Sequence, residues 1–69
     1  MINVWRHVNT FRSTDCSKKA IINYNRETEC YFIDFYDNDV YIDTRQYQDK
    51  SIYWVEDAAE NYTLGILNV

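Results

Sequence analysis

Three kinds of side chain in this sequence have chemistry to offer: one imidazole, two thiols and a crowded set of carboxylates. His7 alternates with Asn3 and Trp5 along an extended segment. We read it as a partly exposed structural imidazole rather than a general base, since no acid–base pair stands out around it. Cys16 lies close to Lys18 and Lys19, whose charges would favour a thiolate nucleophile. A free thiol in a loop explains it more simply. Cys16 and Cys30 form no CxxC pair, and with a single His they make no zinc set. Asp34, Asp37, Asp39 and Asp43 crowd around one turn, and such clusters can hold Ca²⁺ or Mg²⁺. No Gly stands where an EF-hand loop would turn, so turn chemistry and a solvated edge account for these acids. The residues therefore imply no catalytic set, no metal and no cofactor, and we read the chain as a non-enzyme.

The elements that must position these residues are short. At 69 residues the chain is one domain at most, residues 1–69, and a domain of this size buries only about 60% of its unfolded surface. It contains no Pro and a single Gly, Gly65, so its turns must come from Asn and Asp, which tolerate positive φ. Residues 2–8 alternate: Ile2, Val4 and Val8 on one side, Asn3, Trp5 and His7 on the other. This predicts a strand. Residues 9–18 are polar around a lone Phe11 and read as a loop. A short apolar run covers 19–24. Residues 28–36 are rich in β formers, Asp37-Asn38-Asp39 is a turn signal, and 40–47 resume alternation, which together predict a hairpin. Tyr31, Ile33 and Phe35 should face the core, with Phe32, Asp34 and Tyr36 opposite. On the next strand Val40, Ile42 and Thr44 should point inward, and Tyr41, Asp43, Arg45 and Tyr47 outward.

Residues 51–64 read as a helix with a core stripe of Ile52, Val55, Ala59, Tyr62 and Ile66. Asp49 or Ser51 would cap its start, and Gly65 its end. Ile66 and Leu67 can then fold back onto the core. Tyr53, Asp57, Glu60 and Leu64 lie opposite the stripe, with Trp54 on a flank. The expected fold class is α+β: an antiparallel sheet of three to four strands with one C-terminal amphipathic helix packed on one face.

Binding remains once catalysis is set aside. Trp5, Phe32, Tyr36, Tyr41 and Tyr47 all fall on the expected outer sheet face. Aromatics there can stack bases or anchor a protein interface. Interleaved with Asp34 and Asp43 they would repel phosphate, which favours a protein partner. The alternative is that the first strand and residues 9–18 cover this face. Charge is asymmetric along the chain. Residues 1–26 carry five cations against Asp15, a net of +4, and 27–69 carry ten acids against Arg45 and Lys50, a net of −8. The first reading is thus a partner-binding surface of Tyr36, Asp43, Tyr47, Asp57 and Glu60 that meets a basic partner, with a second copy of the chain as another candidate occupant. The alternative is nucleic acid bound through Arg6, Arg12, Lys18, Lys19 and Arg26, with a steep salt dependence. No apolar run approaches the roughly 20 residues of a membrane helix, and the chain turns polar by its third residue, unlike a secretory leader. We expect a cytoplasmic protein with both thiols reduced, a Cys16–Cys30 disulfide being the alternative.

Tyr31-Phe32-Ile33-Asp34-Phe35-Tyr36, the Asp/Asn turn, Val40-Tyr41-Ile42, and Val55-Glu56-Asp57-Ala58-Ala59-Glu60-Asn61 together resemble small, uncharacterised accessory proteins of tailed bacteriophages, over about half of the chain. The resemblance implies a viral protein in a bacterial host's cytoplasm that binds and redirects or inhibits a host enzyme or defence complex. The order of strands then helix also resembles three-stranded DNA-binding modules at the arm-binding end of phage integrases. Those present basic sheets whereas this one reads as acidic, so the likeness is one of architecture.

Overall fold

The computed structural model describes residues 3–67, so Ile2 and its expected strand position lie outside it. Four strands precede one helix: β1 (Trp5–Arg12), β2 (Lys18–Asn25), β3 (Cys30–Asp37), β4 (Val40–Tyr47) and α1 (Ile52–Thr63). The strands form one antiparallel sheet in the order β1-β2-β3-β4, each joined to the next by a tight turn. The fold is thus α+β, with the helix on one face of the sheet.

The turns follow the expected use of Asn and Asp only in part: positive φ falls on Asn38, Asp39 and Asp49, but also on Cys16 and Glu29. Asn38 and Asp39 both adopt positive φ, 51° and 65°, which a two-residue type I′ hairpin loop requires and which their short polar side chains tolerate. The β2–β3 turn is organised by Asn25. Its buried side-chain carbonyl accepts from the backbone N–H groups of Glu27 and Thr28, both at 2.9 Å. Asn25→Ala removes both acceptor bonds in a buried place and is expected to cost about 2 kcal/mol, read as a lowered urea midpoint with an unchanged slope. In the β1–β2 turn, Asp15 Oδ1 accepts from Ser13 Oγ at 2.8 Å, Ser17 N at 3.0 Å and Ser17 Oγ at 2.8 Å. These donors, the Ser17 N–H foremost, pull its pKa from 3.8 down to about 2. The unfolded chain then binds more protons than the folded one between about pH 4 and pH 2. Stability falls as pH drops through that window, and Asp15→Asn should flatten that part of the pH–stability curve.

The core lies between the sheet and α1. Ala20, Ile22, Ile33 and Phe35 from the two central strands meet Val55, Ala58, Ala59 and Tyr62 from the helix, with Val8, Phe11, Tyr31, Tyr47, Ile52 and Leu67 packed around them. Burying each of Phe35, Ile22, Ile33 and Val55 contributes about 1.5–3 kcal/mol. Tyr62 stacks edge-on against Phe35, with ring centroids 4.8 Å apart, and donates its hydroxyl hydrogen to the Tyr36 carbonyl at 3.0 Å. Ser51 Oγ accepts from the Trp54 N–H at 3.3 Å and caps the helix. At the other end Gly65, at φ +79°, lets Ile66 N–H reach the Asn61 carbonyl at 2.8 Å and Gly65 N–H the Tyr62 carbonyl at 3.1 Å, a Schellman ending. Leu67 folds back onto the core as expected. Ile66 does not join the stripe and stays 69% exposed.

Two expectations fail at β-bulges. Residues 9–12 are strand rather than loop, because Val8 is an extra residue between the pairs His7–Asn23 and Asn9–Ile22. The bulge breaks the two-residue period and turns Phe11 onto the core. On β4 the face assignment is inverted beyond Ile42, while Val40 lies on the helix side as expected. The register passes from Tyr36–Tyr41 to Phe35–Asp43, leaving Ile42 as the extra residue. Directly paired residues share a face, so Asp43, Arg45 and Tyr47 lie on the helix side and Thr44 on the outer side. Tyr41 stays outward because it precedes the bulge. No burial enforces the opposite choice: α1 packs chiefly over β2 and at its margins on β1 and β3. Val40 and Ile42 are accordingly exposed, by 60% and 44%.

Candidate functional site

Because α1 stops short of β4, the two are separated by a groove of about 400 Å³. Its helix wall is the stripe Trp54, Asp57, Ala58 and Asn61, spaced i, i+3, i+4, i+7 and turned about a quarter circle from the core stripe. Its sheet wall is Arg45 and Tyr47, and the chain after the Schellman turn closes one end with Ile66 and Leu67. The Tyr47 and Trp54 rings are 5.3 Å apart. Lys50 Nζ sits 4.8 Å over the Trp54 ring, and the indole remains partly exposed at the groove mouth. Burial raises the Tyr47 phenol above its ordinary pKa, and the neighbouring Arg45 opposes this. Tyr47 is therefore neutral at pH 7 and serves as an apolar wall with a polar tip. The groove thus offers apolar surface from Tyr47, Trp54, Ala58 and Leu67, flanked by one carboxylate, one guanidinium and one amide.

Of the five residues expected to bind a partner, the structure brings Tyr47 and Asp57 into this groove. Asp43 stands beside it on β4, with Oδ2 3.8 Å from Arg45 Nε. That pair is well solvated and contributes little to stability. Tyr36 is on the opposite face of the sheet, where it pairs with Tyr41. Glu60 is on the solvent side of α1 with Tyr53 and Leu64, outside the groove lining. Sequence reasoning missed Arg45, Ala58 and Asn61 and left Trp54 on a flank. The i, i+3, i+4, i+7 recurrence from Trp54 to Asn61 was the available signal.

Among the described residues no element covers the outer sheet face. β1 forms an edge of the sheet rather than a cover, and residues 13–17 form the β1–β2 turn. Asp43 is absent from this face, and Asp34 there accepts from Thr44 Oγ1 at 2.6 Å and Asn23 Nδ2 at 3.3 Å. The face is therefore aromatic and polar with one internally bonded carboxylate, not acidic as the sequence pattern implied.

The expected basic set does not form one patch. Arg12 and Lys19 are cross-strand partners on the outer face. Arg6 stacks over Tyr24 on the helix side at 5.9 Å, Lys18 over Tyr62 at 5.1 Å, and Arg26 is exposed in the β2–β3 turn. The acids around the hairpin are likewise divided between faces, and among the described residues no group of three His, Cys, Asp or Glu side chains is placed to hold a metal ion. Cys16 is exposed and Cys30 buried, at opposite ends of the sheet, and neither is in a disulfide. No helix among the described residues is long and apolar enough to cross a membrane. No protein-family model matches this chain. A search of curated proteins found no match, and a search of solved structures found none either.

Proposed function

We propose that the protein is a small interaction module that takes a segment of a partner protein into the groove between α1 and β4 and thereby modulates or inhibits that partner. The observation that carries this reading is the apolar groove left where the helix stops short of the edge strand, with the Tyr47–Trp54 pair at its mouth. Aromatic side chains with large contact area and few rotatable bonds are the usual anchors of protein interfaces. Asp57 lines the groove while Asp43 beside it is paired with Arg45, so the complementary segment is one that combines an apolar anchor with a Lys or Arg placed opposite Asp57. The sequence resemblance to phage accessory proteins makes a bacterial host protein, in the cytoplasm of an infected cell, the partner to look for.

The test is affinity capture from bacterial lysate after nuclease treatment, using the wild type beside Asp57→Arg, with mass-spectrometric identification. Reconstitution from purified components should follow. The expected result is one stoichiometric protein that binds the purified wild type and is lost with the charge-reversed groove. Equal capture by both proteins would refute a groove-mediated contact. A chain that self-associates through the groove in sedimentation experiments would replace the host partner by a second copy.

A further inference from the structure

The outer face of the sheet is a grid of three rows set by the strand register. The first row is Arg12, Lys19, Tyr36 and Tyr41, crossing all four strands through the direct pairs Arg12–Lys19, Lys19–Tyr36 and Tyr36–Tyr41. The second is Thr10, Ile21, Asp34 and Thr44. The third is His7, Asn23, Phe32 and Gln46, with Trp5 turned onto Phe32 at 5.0 Å between ring centroids. An aromatic pair thus stands at each end of the face. At one end Tyr36 and Tyr41 are 5.7 Å apart, with Lys19 Nζ 4.7 Å over the Tyr36 ring. Phe32 and Tyr36 lie four residues apart on β3, about 13–14 Å at the usual strand rise. Trp5 and Tyr41 are 44% and 53% exposed.

We infer that this face binds single-stranded nucleic acid, with a base stacked on each aromatic pair and the backbone phosphates held at Arg12 and Lys19. Three features favour this occupant. Bases stack on aromatic rings regardless of sequence, and two platforms this far apart suit a splayed strand rather than a duplex, whose bases are already stacked and paired. The cations lie at one end, where Arg12, Ser17, Lys19 and Asp39 line a recess of about 210 Å³ that also includes Cys16, room enough for a phosphate. The acids of the chain are mostly elsewhere: on the helix, in the turns, or on the helix side of the sheet. Asp34 is the carboxylate within the three rows, and it is engaged by Thr44 and Asn23. Between the two platforms the second row presents Thr10, Asp34 and Thr44, polar groups at which base edges can hydrogen-bond. Asp39, bordering the cation recess, opposes a phosphate and keeps binding modest. This inference is independent of the groove, which lies on the other side of the sheet.

The experiment is fluorescence anisotropy of a labelled oligothymidine of about twelve nucleotides, long enough to span both platforms, titrated with the full chain over a range of salt concentrations. Two phosphate contacts give a slope of log K against log salt near −1.4, and Arg12→Ala should halve it to about −0.7. Trp5→Ala and Tyr41→Ala should each weaken binding about tenfold. Asp39→Asn should strengthen it, and Tyr53→Ala, on the solvent side of α1, should leave it unchanged. All these positions are exposed, so the variants keep the core intact, which circular dichroism checks. Absence of an anisotropy change at the lowest salt, equal binding of a duplex of mixed sequence, or a slope that Arg12→Ala does not alter would each overturn the inference. So would a dimer lost on Tyr41→Ala that binds no oligonucleotide, since the face would then be an interface between copies.

Discussion

Phe35→Ala will leave the chain largely unfolded at 25 °C. Phe35 is fully buried in the one core cluster among the described residues, together with Ile33, Ala20 and the helix residues Val55 and Ala59. Its ring also meets Tyr62 edge-on at 4.8 Å. Phe-to-Ala changes in cores cost about 3–5 kcal/mol, and loss of an aromatic pair adds about 0.5–1.5 kcal/mol. A domain below roughly 80 residues rarely has more than about 3–5 kcal/mol in total without staples, and the two cysteines here are free. The substitution therefore takes essentially the whole margin. Far-UV circular dichroism at 25 °C should lose the helix signal, while Phe35→Leu, which roughly conserves volume, should remain folded with a loss of about 1–1.5 kcal/mol in urea melts. A cooperative melt for Phe35→Ala with a midpoint near wild type would show that the sheet is held by something other than this contact.

Trp54→Ala will reduce the affinity for the groove's partner about thirtyfold, with little loss of stability. The indole is 46% exposed, so truncating it opens no buried cavity. It nonetheless carries the largest apolar surface at the groove mouth and is steadied by Tyr47 at 5.3 Å and Lys50 at 4.8 Å. Aromatic anchors of this kind account for about 2 kcal/mol or more of binding free energy when truncated, which at 1.4 kcal/mol per factor of ten is about thirtyfold. Titration calorimetry with the purified partner reads the change, and melting curves of the free chain check that the fold is kept. A loss confined to stability would assign Trp54 to packing instead.

Much of this fold was legible because local signals agreed with one another. The Asn38–Asp39 turn, the alternation of β3 and the helix with Ser51 before it and Gly65 after it each have a local cause, and the structure places them as expected. The failures share a different cause. A bulge costs one residue of register, and period-two reasoning has no local mark for it in this sequence. At Val8 it hid four residues of β1, and at Ile42 it exchanged the two faces of β4 from Asp43 onward. The second error mattered most for function. It put Asp43 among the outward aromatics and made that face look acidic, when the carboxylate belongs to the groove side. The groove itself was only half legible. Tyr47 and Asp57 were named on composition and charge, but the gap between α1 and β4 depends on where the helix axis crosses the sheet. That crossing is decided by which strands carry the small and buried residues, here Ala20 and Ile22 on β2 against Ala58 and Ala59, and not by the helix sequence alone.

The most direct test of the groove as the partner site is site-specific photo-crosslinking in bacterial cells. A photoreactive amino acid is placed at position 61, on the exposed rim of the groove, and in a second variant at position 41, on the outer face of the sheet. Crosslinking from position 61 to one host protein, with no protein crosslinked from position 41, is the predicted result. A host protein crosslinked from position 41 and none from position 61 would contradict the account and move the protein-binding surface to the other side of the sheet.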